Sequence, residues 1–217
     1  MHFEKTSRSK LNRNPERGSF DKETIYNIID EEHYCHVSFL QDDKPFVIPT
    51  IHARMDDNII LHGAKTIRML KHILAGNEVC ISITLIDGLV LARSVFHHSM
   101  NYRSVIIFGK GEEVIEKEAK LNALQTITDH LLPGRWEDAR QPDEKELIST
   151  MVVSIKIEEA SAKIRTGPPS DDEEDYGLPV WAGVLKLNQG FDKFIPDPLL
   201  NPDVRLPRYL EDMIKNS

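Results

Sequence analysis

From residue 35 onward, apolar and polar side chains alternate with a period of two in one short stretch after another, and the breaks between stretches are too short for parallel crossovers. Cys35, Val37 and Phe39 alternate with His36 and Ser38, and Phe46, Ile48 and Thr50 repeat the pattern beyond an Asp42-Asp43 turn. Further strand patterns cover 58–63, 79–85, 89–96, 103–109 and 151–157, with Asp87-Gly88 reading as a hairpin turn between 79–85 and 89–96. Pro49 has no ladder donor, so its strand belongs at an edge or a bulge. Three segments depart from this period. Asp21 caps a helix that follows Phe20, residues 66–74 read as a short helix closed by Gly76, and 116–132 as a longer one stopped by Pro133-Gly134. The expected architecture is mainly β with helices at the margins of an antiparallel sheet, curled or closed into a barrel.

Composition narrows the classes. With 40% hydrophobic and 29% charged residues in 217, the chain can bury a full core. Its longest apolar runs are far short of the roughly 20 residues a membrane helix needs. The polar start lacks the apolar stretch of a secretory signal, and Cys35 and Cys80 read as reduced buried thiols, which together place the protein in the cytoplasm. A net charge of −8 argues against nucleic acid as a partner. Residues 1–17 form a basic arm carrying Lys5, Arg8, Lys10, Arg13 and Arg17, read as a solvated tail except where Arg17 abuts the first folded element. Residues 171–175 are an acidic exposed loop, and a final helix is expected near 209–214.

Two polar clusters stand out. His62, Gly63, Ala64, Lys65, Thr66, Ile67 and Arg68 join a strand to a helix, where free amides and two cations suit an anion. His97, His98, Ser99, Asn101, Tyr102, Arg103 and Ser104 concentrate donors between two strands, as a bound anionic or heteroaromatic ligand would require. Trp181, among small residues, either covers a flat ring or anchors the C-terminal segment in the core. The histidines have no zinc-site spacing, and no metal site is expected. Gly109-Lys110-Gly111 is no dinucleotide fingerprint.

The stretch DGLVLARSVFHHSMNYRSVIIFG (87–109), with LHGAKTIRML, LLPGRW, SAKIRTGPP and PVWAGVL, resembles the pyridoxamine 5′-phosphate oxidase-related flavoproteins, in their flavin-nucleotide-binding, nitroimidazole-reductase-like branch. The resemblance spans residues 17–187, leaving 188–217 as a C-terminal extension on or beside the barrel. It implies a six-stranded antiparallel split β-barrel that forms a homodimer with FMN in clefts at the subunit interface. Val47, Ile48, Pro49 and Thr50 would then lie along the isoalloxazine ring, and residues 62–68 would approach the ribityl phosphate. Ser99, Asn101, Tyr102, Arg103 and Ser104 would complete the pocket, with Trp181 reaching in from the C-terminal side. Relatives often carry serines after His-Gly; here Ala64 and Ile67 leave phosphate contacts to Lys65, Thr66, Arg68 and backbone amides. The implied activity is an oxidoreductase passing electrons from NAD(P)H to a small heteroaromatic acceptor. A non-catalytic flavin store and a haem-binding split barrel, with His36, His52 or His97 as axial ligand, are the alternatives, since the flavin itself carries the redox chemistry.

Overall fold

The computed structural model describes residues 1–215, and its strands lie in two antiparallel sheets. The strands are β1 (Gly18–Ser19), β2 (Tyr34–Gln41), β3 (Lys44–Ile51), β4 (Ala53–Met55), β5 (Asn58–Ala64), β6 (Val79–Leu91), β7 (Ser99–Gly109), β8 (Gly111–Glu113), β9 (Thr150–Lys156), β10 (Glu159–Arg165) and β11 (Gly183–Lys186). The larger sheet runs β1-β10-β7-β6-β2-β3, with β11 added to β6; the smaller runs β4-β5-β9-β8. The helices are α1 (Lys22–Glu31), α2 (Arg68–Leu74), α3 (Lys117–Leu131), α4 (Arg135–Asp138), α5 (Glu144–Ser149) and α6 (Arg208–Lys215). The fold is that of a split barrel whose two sheets do not close on each other.

Local chemistry explains most boundaries. The Asp21 carboxylate accepts from Thr24 N at 2.9 Å and starts α1, whose Ile25, Ile28 and Ile29 are buried. Asp42 and Asp43 both take positive φ (52° and 58°), the left-handed pair that a two-residue hairpin needs. Gly76, at φ 82°, ends α2. Inward side chains of both sheets, among them Val37, Ile59, Leu61, Ile81, Ile83, Val105, Ile107, Val153 and Ile155, meet α1 and α2 in one core. A smaller cluster seats α3 through Ala123 and Ile127 on Ala53, Ile60 and Val152.

Several expectations change in three dimensions. Asp87-Gly88 is no hairpin turn: β6 runs straight through it with a bulge between Ile86 and Gly88, and the chain reverses only at 92–98. A Cβ on Gly88 would lie 2.8 Å from the Leu185 carbonyl, so the glycine serves the approach of β11 rather than a turn. α2 starts at Arg68, not at residue 66, and no side chain caps it. Strands β4 and β10 carry too little alternation to have been expected.

The N-terminal arm is no solvated tail. Phe3 is buried and packs edge-on against Tyr26 at 6.1 Å, while Phe3 N and Lys22 N donate to the Phe20 and Met1 carbonyls. Arg8 pairs with both Glu78 and Glu159 and lies 4.6 Å over the Phe108 ring. Nor is the acidic loop wholly exposed: the Asp171 side chain is sealed, accepting from Arg93 N, Ser94 N and Arg93 Nη1. No helix among the described residues is long and apolar enough to cross a membrane.

Candidate functional site

β3 is the free edge of the larger sheet, as Pro49 requires. Val47, Pro49 and Ile51 point outward, with Val47 61% exposed, while Ile48 packs inward on the core. At the turn end of this hairpin, Arg68 lies 4.7 Å over the Phe46 ring and, among the described residues, has no ion pair. Ala64, Lys65 and Thr66 are exposed beside it. His62 is half-buried with an unpartnered Nδ1, and burial lowers its pKa. A Cβ on Gly63 would collide with the Ile67 side chain. The first cluster therefore offers two uncommitted cations, although a helix as short as α2 adds little dipole to them.

The second cluster lies at the other end of β6. Phe46 faces Phe39, next to Ser38, which pairs with Cys80, whereas Tyr102 pairs with Ile86. Six residues along the strand separate the two levels, about 20 Å. One protomer therefore does not bring residues 62–68 and 99–104 into a single pocket. The second cluster is also largely committed. Arg103 is held by Glu31 (Nη2 to Oε1, 2.7 Å) and Asp87 (Nη2 to Oδ1, 2.7 Å), which keep its guanidinium firmly charged. The buried Asn101 amide bridges Arg165 and the Gly167 carbonyl, and the Ser104 hydroxyl donates to Lys163 O at 3.3 Å. Ser99 is exposed, and Tyr102 is half-buried with no hydrogen-bond partner among the described residues. Trp181 anchors no core: its indole is 69% exposed and covers Gly183.

The histidines divide sharply. His52 is fully buried, its Nε2 bonded to the Ile29 carbonyl at 3.0 Å, and burial pushes its pKa down to about 4. It packs against His130, whose Nε2 meets the Glu32 carbonyl at 2.9 Å. No ligand can reach it. His97 is paired with Asp172 at 3.1 Å, and with Asp175 these form a half-exposed group of three potential metal ligands that the sequence did not suggest. His36 stands exposed beside Tyr34.

Sequence reasoning passed over His72. Its ring sits 4.6 Å from Phe39 in a groove of about 460 Å³ lined by Leu40, Pro45, Phe46, Val47 and Phe108, with Arg8 at the rim. Among the described residues its ring nitrogens have no hydrogen-bond partner. The only trace in sequence was a histidine on a helix otherwise read for its apolar side. A larger cavity of about 750 Å³, lined by His33, Tyr34, Asp87, Arg103 and Phe191 among others, opens at the other end of β2.

Residues 21–164 match the family model described as pyridoxamine 5′-phosphate oxidase. The chain belongs to the pyridoxamine 5′-phosphate oxidase family. Within solved structures, it is similar to the flavocytochrome Anf3 from Azotobacter vinelandii, at 37% identity over 96% of this chain and 97% of that one, with a TM-score of 0.89. It is also similar to the FAD and haem binding protein from Mycobacterium smegmatis, at 30% identity over 91% and 97%, TM-score 0.86. A Bacteroides thetaiotaomicron protein named for 5-nitroimidazole antibiotic resistance shares the fold, at 24% identity over 66% and 84%, TM-score 0.57. A search of curated proteins gives no match. The Azotobacter match, over 96% of this chain, extends beyond the family model at both ends.

Proposed function

We propose that this chain is a flavin- and haem-binding redox protein that works as a homodimer, passing electrons between a reduced nicotinamide and a small acceptor. The observation that carries the reading is the His72 groove: aromatic and aliphatic walls, one imidazole without a protein partner, and a guanidinium at the rim. An axial nitrogen and an apolar surface for the macrocycle are what a haem needs, and Arg8 at the rim, paired with Glu78 and Glu159, would meet a haem carboxylate only by leaving one of them. The Azotobacter and Mycobacterium relatives, named for haem or cytochrome together with flavin, support it.

The flavin we propose is FAD, because a relative spanning nearly the whole chain is named for it; FMN, which the family resemblance implies, is the other outcome of the same measurement. Flavin supplies two-electron chemistry and haem single-electron transfer, while the protein supplies orientation and electrostatics. The outer edge of β3 presents backbone groups to a ring edge, and Lys65 and Arg68 offer charge to phosphate. Homodimerisation is supported by two observations. The two polar clusters are separated in one protomer, and Val95, Phe96, Trp181 and Leu185 are large apolar side chains left more than half exposed.

The test is the absorption spectrum of the purified protein, with mass identification of the released cofactors. Flavin bands and a Soret band are expected, and His72→Ala should lose the Soret band and keep the flavin. A colourless protein that refuses added flavin and haem overturns the reading, and an unchanged Soret band in His72→Ala removes the groove. Bound flavin that neither NADH nor NADPH reduces favours storage over catalysis.

A further inference from the structure

Arg165 ends β10 opposite Tyr102 of β7, and its Nη1 donates to Oδ1 of the buried Asn101. Asn101 is fixed in turn by its bond to the Gly167 carbonyl at 3.1 Å, so the guanidinium is held in place by a neutral partner. Lys163 lies two positions earlier on the same face, with its Nζ on the Arg13 carbonyl at 3.1 Å. Gly18 pairs with Lys163, which brings Arg17 to the same end of the sheet. Among the described residues neither Arg165 nor Lys163 has a carboxylate at ion-pair distance. Arg17 has only Glu16, at 3.9 Å and largely exposed.

In a chain with an excess of acid, three cations have gathered where acid is lacking. Arg17 and Arg165 are close enough to interact: burial and the charge of Arg17 both depress the Arg165 pKa. Like charges crowded in this way are relieved by a bound anion, and planar guanidinium groups match phosphate oxygens. The face is shared with Ser104 and with the unpartnered phenol of Tyr102, directly across the ladder from Lys163 and Arg165.

We propose that Arg165, Arg17 and Lys163 form a phosphate-binding subsite, which takes the diphosphate of the flavin nucleotide. The subsite rests on the flavin reading above only for the source of that phosphate. Within one protomer it lies at the opposite end of the sheet from Lys65 and Arg68, so one diphosphate meets both only across the proposed dimer, and variants at the two places are separable.

The test is calorimetric titration of the full chain, after its nucleotide has been dialysed away, with inorganic pyrophosphate, FAD and riboflavin. Arg165→Met is compared with wild type, and Arg17→Met, altered on a more exposed side chain, serves if the first variant does not fold. Both variants should weaken pyrophosphate and FAD about 10- to 100-fold and leave riboflavin unchanged. Pyrophosphate binding that depends on Arg165 in a protein that takes no flavin sustains the subsite, makes free phosphate compounds its ligands, and ends the flavin reading. FAD bound no more tightly than riboflavin, with pyrophosphate ignored, ends the subsite and leaves the flavin reading intact. Unchanged pyrophosphate and FAD affinities in both variants also overturn the subsite.

Discussion

His52 and His72 are both imidazoles in apolar surroundings, and they have opposite capacities. His52 follows β3 and is closed over by α1 and α3; its Nε2 is committed to the Ile29 carbonyl and its Nδ1 is sealed from solvent. His72 sits half-buried on α2 with its ring turned into an open groove and its nitrogens free among the described residues. Burial alone does not make a histidine a ligand. What matters is whether a nitrogen remains and whether a partner can reach it. The same contrast separates Arg103, bound to two carboxylates, from Arg68, which rests on a phenyl ring.

Acid should produce the largest effect. The His52 pKa of about 4 in the folded chain lies below 6.5 in the unfolded one, so the unfolded state takes up the proton first. Stability is fully present above pH 6.5 and falls by about 3 kcal/mol as the pH drops toward 4. His33, whose pKa is lowered by burial and by His130, adds in the same direction. Urea midpoints measured across this range check it, and His52→Leu should flatten the slope. A slope unaltered in that variant would show that the buried ring is not what titrates.

Arg103→Met comes next. It leaves Glu31 and Asp87 without their shared cation, and with Glu31 half-exposed the loss should be about 1–2 kcal/mol in denaturant unfolding. A loss below that would mean the carboxylates are satisfied by water and that Arg103 is free for a ligand after all.

Arg68→Ala is expected to change stability by no more than about 0.5 kcal/mol while weakening flavin retention. Equal retention measured by dialysis would take Arg68 out of the site. The smallest stability effect, measured on the haem-free chain, belongs to His72→Ala, within about 0.5 kcal/mol because alanine suits a helix and no protein bond is broken. A large drop in its unfolding midpoint would instead make His72 structural and remove the contrast with His52.

The candidate clusters were legible because unusual densities of donors show in one dimension, but density did not reveal commitment. Asn101, Arg103 and Ser104 look as available in sequence as Lys65 and Arg68, yet their partners, Arg165, Glu31, Asp87 and the Lys163 carbonyl, come from distant segments. His72 was invisible for the converse reason: the groove around it is made by Phe39, Phe46 and Phe108 from three strands, and nothing local to α2 announces them.

Sequence by itself determined what depends on neighbours along the chain: the alternation that makes antiparallel strands, the Asp21 cap, the left-handed Asp42-Asp43 turn and the exclusion of Pro49 from a central strand. Tertiary structure decided whatever depends on a partner far away. Gly88 carries a turn signal, but the approach of β11 makes it a bulge within a continuous strand. The basic arm reads as solvated, but its Phe3 finds Tyr26 and its Arg8 finds Glu78 and Glu159. In each case the local preference is worth no more than about 1 kcal/mol, and long-range burial and pairing outweigh it.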